Sequence, residues 1–128
     1  MSNSFYWDLN DGTRAWSKRF EAKMGRKPSM NQAGVYSAVR HYLEAVKAAG
    51  TDDADKVAAK MRATPVNDMM MKDATIGVNG RVFGDMYLFE VKKPDQSKAP
   101  WDYLTLLQTV PGAQAYIPVK DSGCPLVK

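Results

Sequence analysis

The stretch from Pro28 to Gly50, PSMNQAGVYSAVRHYLEAVKAAG, decides how this chain folds. Proline suits the opening of a helix, where its missing N–H would have had no partner, and a glycine just past the end takes the left-handed turn that stops one. Between them Tyr36, Val39, Leu43 and Val46 recur at three- and four-residue spacing. That spacing predicts a helix from Ser29 or Asn31 to Ala49 with those four side chains as a buried stripe. At about 1.5 Å per residue it runs roughly 27–30 Å, the span of a small domain.

Outward from this helix the same reasoning places its neighbours. Upstream, the aromatic stretch Phe5, Tyr6, Trp7 and Leu9 ends in Asn10-Asp11-Gly12, whose short polar side chains can cap a helix from about Thr13 to Met24. Trp16, Phe20 and Met24 recur every fourth residue on one face, and Gly25 supplies the stop. Downstream, Thr51-Asp52-Asp53 caps a short helix from about Ala54 to Ala63, with Val57 and Met61 apolar and Pro65 beyond its end. Met69-Met70-Met71 reads as flexible packing in a loop. Asn79-Gly80, between Thr75–Val78 and Arg81–Phe83, is a hairpin signal because both residues tolerate positive φ.

Met86 to Val91 is nearly apolar on both faces, the pattern of a central strand covered on two sides. After a polar linker from Pro94 to Pro100, Trp101 to Val110 is expected to form a short helix with Tyr103, Leu104 and Leu107 inward. Pro111-Gly112 would stop it, and Ala115 to Lys128 is expected to be an extended tail. The fold class is therefore α/β: three to four helices packed on a small sheet containing the Asn79-Gly80 hairpin, in a single domain over residues 1–128.

Composition narrows the function by exclusion. Apolar residues make up 45% and charged residues 25%, an ordinary globular balance. No window has the roughly 18 consecutive apolar residues of a membrane span. No basic–apolar–small pattern opens the chain, so a signal peptide is expected to be absent or already removed, and Met1-Ser2-Asn3 reads as a truncated or processed start. The net charge of +4 is spread over scattered Lys and Arg with acids between, which predicts a solvated surface and no nucleic-acid partner. Cys124 is the single cysteine, either a tail thiol or one whose disulfide partner lies in another part of the protein.

The motifs of catalysis are missing. The sequence has no GxGxxG or GxxxxGK[ST] phosphate cradle, no GxSxG elbow, and no credible Cys–His pair. His41 and Glu44 look like half a metal pair, but both are expected on the outer face of the long helix. Asp52, Asp53 and Asp55 lack the glycine and distal glutamate of a calcium loop, and capping explains them better. The expectation is a protein with no catalytic residues, no metal and no cofactor.

Seven phrases in order take the reading further: FYWDLNDGTR at 5–14, PSMNQAGVYSAV at 28–39, AAGTDD at 48–53, NGR at 79–81, DMYLFEVK at 85–92, WDY at 101–103 and SGCPL at 122–126. Together they resemble one subgroup of the branched-chain-amino-acid-type solute-binding proteins of ABC importers. The resemblance covers essentially the whole chain and only the last third of such a protein.

It implies a partial type I periplasmic-binding-protein-like fold. In the family two α/β lobes, joined by three crossing strands, close over a ligand without chemistry. Residues 5–83 would be the late part of the first lobe, residues 86–93 a crossing strand toward the second, and residues 94–128 linker, short helix and tail. The implied ligand is a branched-chain amino acid or a related small carboxylate, the implied partner an ABC permease, and the implied location the periplasm.

Carried over by position, the ligand-facing candidates are Tyr6, Trp7 and Asp8 after a crossing, and Asn31, Gln32 and Val35 at the start of the long helix. Core packing is the competing role for Tyr6 and Trp7, and helix capping for Asn31 and Gln32. Unpaired strand edges and bare helix faces also suggest an alternative, a binding-incompetent remnant that associates with itself as a homodimer or exchanged oligomer.

Overall fold

Three helices start where short polar side chains cap them. In the computed structural model of the protein, which describes residues 1–125 and Val127, helix α1 spans Asp11–Met24. Asn10 Oδ1 accepts the Thr13 N–H at 2.9 Å while Thr13 Oγ1 accepts the Asn10 N–H at 3.0 Å, a reciprocal cap. Helix α2 spans Met30–Ala49, and Ser29 and Gln32 close its first turn in the same way. Helix α3 spans Ala54–Ala63, with Asp53 Oδ1 accepting the Lys56 N–H at 3.1 Å. Gly25 (φ 69°) and Gly50 (φ 65°) end α1 and α2 in the left-handed region as expected. The tail expected to be extended instead makes a 3₁₀ turn at Val119–Asp121, and its last residues Leu126 and Lys128 lie outside the described residues.

The larger sheet has the order β1-β4-β5, all antiparallel, with β1 at Ser2–Asn3, β4 at Met86–Val91 and β5 at Leu104–Val110. Strand β4 is central, as its sequence predicts. Its faces are less covered than predicted: Phe89 is fully buried, but Leu88 and Val91 are exposed. The Asn79-Gly80 hairpin forms between β2 (Thr75–Ile76) and β3 (Val82–Phe83) as a separate two-stranded sheet. Only Gly80 takes positive φ, at 77°; Asn79 instead accepts the Arg81 N–H through its side chain at 3.2 Å.

Two expectations are corrected. Residues 104–110 form strand β5 in place of the expected helix over Trp101–Val110. The open edge of β4 needs partners for its backbone groups, and β-branched Thr105, Thr109 and Val110 suit a pleated strand. Leu88 pairs with Gln108 and Phe89 with Leu106, so Leu107 is an extra bulged residue. The short helix of this region is α4, Gly112–Ala115, beyond Pro111.

The second correction concerns α2. Its buried residues are Ala33, Ser37, His41 and Ala45; of the expected stripe, Val39 and Leu43 are 52% and 57% exposed, with Val35 beside them at 66%, while Val46 and Tyr36 are half-buried and Tyr36 packs on the core cluster. Small side chains let α2 lie close to its neighbours on one side, and the branched stripe has no cover among the described residues. His41, expected outside, is buried with Nε2 3.0 Å from the carbonyl of Met61 in the last turn of α3. Glu44 pairs with Arg40 instead, at 2.8 Å.

The core joins these elements through aromatic rings. Phe5 meets Trp16 edge-on at 5.7 Å, Trp16 lies 5.4 Å from Tyr36, and Ala33 is fully enclosed beside them. Met69 and Met70 pack on this cluster, their turn held by Asp68 Oδ1, which accepts the N–H groups of Met70 and Met71. Tyr6 lies 5.5 Å from Phe89 and so ties the sheet to the aromatic segment. No helix among the described residues is long and apolar enough to cross a membrane.

Candidate ligand-binding site

Beside the cluster of Phe5, Trp16 and Ala33, α1 and the start of α2 border an open groove of about 560 Å³. Residues four apart on a helix lie one above the other, so Trp16 and Phe20 form one wall and Arg19 and Lys23 run beside them. The other wall is the first two turns of α2: Asn31, Gln32, Val35 and Tyr36. The floor is aromatic, and both charged residues of the cleft are basic. The start of α2 adds the positive end of its helix dipole, although Ser29 Oγ caps the Asn31 N–H at 3.2 Å. The cleft therefore suits a small molecule with an apolar body and an anionic end.

The six candidates from the sequence fall into two groups. Asn31, Gln32 and Val35 come together in this cleft. Gln32 uses its Oε1 to accept from Ser29 N at 2.9 Å and Ser29 Oγ at 2.7 Å, which leaves its amide NH₂ for other partners. Asn31 and Val35 are exposed.

Tyr6, Trp7 and Asp8 do not line this cleft; Trp7 packs against the core cluster. Tyr6 Oη donates to the Trp101 carbonyl at 2.8 Å, Trp7 Nε1 donates to the same oxygen at 2.9 Å, and Tyr6 Oη accepts the Tyr103 N–H at 3.1 Å. Trp101 holds this position with a positive φ of 72°. The Lys27 ammonium sits 4.4 Å from the Trp7 ring centre and pairs with Glu21 at 2.6 Å. Asp8 pairs with Arg14 at 2.9 Å on the surface. The polar ends of Tyr6 and Trp7 are thus committed within the protein, and their ring faces are what they can offer.

Sequence reasoning missed Arg19, Lys23, Trp16, Phe20 and Tyr36 as cleft residues. A signal existed in the i,i+4 pairs 16/20 and 19/23, but it becomes a wall only once α1 lies against α2. A second cavity, about 570 Å³, is lined by Arg81, Tyr116 and the free thiol of Cys124 among others, with Arg81 5.4 Å from the Tyr116 ring centre. Among the described residues no group of three or more His, Cys, Asp or Glu is arranged to hold a metal ion.

Between β4 and β5, the Lys92 ammonium hydrogen-bonds the Asp102 carboxylate, which also accepts the Lys98 N–H. The two together hold the Asp102 carboxyl below its ordinary range, Lys92 contributing more.

Residues 1–98 match the family model described as periplasmic binding protein. Among solved structures, the chain is similar to a periplasmic binding protein from Burkholderia mallei, at 43% identity and a TM-score of 0.96 over 100% of this chain and 34% of that one. It is equally similar to a branched chain amino acid ABC transporter periplasmic ligand-binding protein from Burkholderia xenovorans LB400, at 43% identity and a TM-score of 0.95 over 99% and 34% of the two chains. A leucine-, isoleucine-, valine-, threonine- and alanine-binding protein from Brucella ovis, in a closed conformation, shares the fold at 22% identity, with a TM-score of 0.75 over 93% of this chain and 32% of that one. No curated protein sequence matches. The chain spans about a third of the length of the solved relatives it matches.

Proposed function

The chain belongs to the periplasmic binding protein family, and on that premise we propose that it serves solute capture for an ABC importer. The family is one of binding proteins, and its place is the periplasm. The solute we assign is a branched-chain amino acid or a related small carboxylate, held without chemistry and passed to an ABC permease.

The cleft between α1 and α2 carries this reading: it sets an apolar aromatic floor under two cations, Arg19 and Lys23, and two amides, Asn31 and Gln32. In this scheme the carboxylate lies toward the start of α2, where the cations and the helix dipole favour it. Val35 and the rings of Trp16 and Phe20 take the apolar part. Tyr6 and Trp7 brace the core cluster that carries Trp16, and with Asp8, paired to Arg14, they stay outside this cleft. Solute that binds the closed form more tightly shifts the population toward closure.

Calorimetric titration of the folded protein with leucine, and separately with an aromatic carboxylate, should give saturable heat. Replacing Arg19 and Lys23 by alanine should weaken it about tenfold or more, the loss of one or two charge-assisted hydrogen bonds. A flat titration of folded protein with both ligands removes solute capture from this chain.

The uncovered Val35–Leu43 stripe favours a second reading, self-association. A monomer of 14.2 kDa by light scattering counts against it.

A further inference from the structure

Gly34 lies inside α2, where glycine weakens a helix that alanine would strengthen. Neither a left-handed turn nor crowding asks for it: its φ is not positive, and a Cβ there would meet nothing within 4 Å. The residue borders a cavity of about 330 Å³ between α2, α3 and the Asn79-Gly80 hairpin, separate from the cleft of Arg19 and Lys23. Met61 of α3, Val66 and Met71 of the loop after it, and Ile76 and Val82 of the hairpin give it an apolar lining. No Lys, Arg, Asp or Glu lines it.

Two polar side chains of α2 stand in this lining, Ser37 at 5% and His41 at 6% exposed. Four residues apart, they share one face of the helix, with about 5–6 Å between Cβ atoms. The Met61 carbonyl can only accept, so His41 Nε2 donates to it at 3.0 Å, and in the neutral ring Nδ1 is left as an acceptor. Among the described residues no hydrogen bond reaches His41 Nδ1 or Ser37 Oγ, and neither atom is sealed off. We propose that this cavity is a second small-molecule site, which takes an uncharged molecule with a compact apolar body and one hydroxyl, of about the size of phenol. A single hydroxyl answers both groups: it donates to His41 Nδ1 and accepts from Ser37 Oγ. A carboxylate or an ammonium is disfavoured, because no charge in the lining would offset its desolvation. The volume is at the lower end for ligand pockets, which suits a body of one ring. Ala38 and Gly80, both exposed, mark the mouth. The site does not depend on solute capture in the cleft.

The test titrates phenol into the full chain, with toluene as the same shape lacking the hydroxyl, while nitrogen-15 correlation spectra follow the backbone amides. Phenol should give saturable shifts at Gly80 and Val82, which line the cavity and not the cleft. It should bind about threefold or more tightly than toluene, the worth of a neutral hydrogen bond. Ser37→Ala should weaken phenol about three- to tenfold and leave toluene unchanged. Gly34→Leu fills the open space and should abolish the shifts, while the melting temperature holds or rises. Should that variant fail to fold, Ala38→Phe at the exposed mouth takes its place with the same expected loss. Amides of Gly80 and Val82 that stay fixed with phenol in large excess would overturn the proposal. So would equal affinities for phenol and toluene, or shifts that survive the filled cavity. A flat titration with leucine leaves it standing, since leucine carries the charges this lining does not answer.

Discussion

The two faces of α2 differ in what their residues are for. One carries Ala33, Ser37, His41 and Ala45, all buried; the other carries the larger Val35, Val39 and Leu43, all exposed. By side-chain hydrophobicity the order should be reversed. The small face is buried because it lets other elements come close: Ala33 sits against Phe5 and Trp16, and His41 reaches the Met61 carbonyl. The branched face is apolar and has no cover among the described residues. A helix apolar on two sides suits a place between two layers.

Mutations on and beneath the packed face should cost most. Phe5→Ala, which removes the aromatic floor under Ala33, should destabilise by about 3–5 kcal/mol in urea unfolding followed by circular dichroism. A loss below about 1 kcal/mol there would mean that the cluster is not the core. Ala33→Leu should cost about 1–3 kcal/mol in the same assay, because no space receives the added carbons. His41→Leu leaves the Met61 carbonyl without its partner and should cost about 1–3 kcal/mol, with faster amide exchange in the last turn of α3. On the open face Leu43→Ala should stay within about 0.5 kcal/mol of the parent. Equal losses at Ala33 and Leu43 would erase the distinction between the faces.

A smaller effect lies away from both faces. The Asp102 carboxyl is held below its ordinary range chiefly by its hydrogen bond from Lys92. A depressed carboxylate contributes stability above its unfolded value and loses it as the pH falls through the folded one. The turn at 98–103 should therefore loosen only in acid, below the ordinary carboxylate range, and Asp102→Asn should remove that dependence. Tyr103 amide exchange against pH reads it directly.

What could be read from the sequence was what neighbouring residues decide among themselves. Asn10, Ser29 and Asp53 cap their helices, and Gly25, Gly50 and Gly80 turn the chain, through contacts within four residues. Strand β5 was not legible: Leu104 and Leu107 have helical spacing, and only β4, reached across the Pro94–Pro100 linker, makes the segment a strand. His41 was misplaced for the same reason, since its partner lies 20 residues away. Of the cleft, Asn31, Gln32 and Val35 were legible as the start of a long helix. Arg19 and Lys23 were not, because their role arises from how α1 lies against α2.

Solute capture is tested most directly at the cleft. Nitrogen-15 correlation spectra that resolve the indole N–H groups and side-chain amides can be followed during titration with leucine and with an aromatic carboxylate. Capture in this cleft predicts saturable, concerted shifts of the Trp16 indole and of the Asn31 and Gln32 amides. Spectra in which those three signals stay fixed at saturating concentrations of both ligands would contradict it.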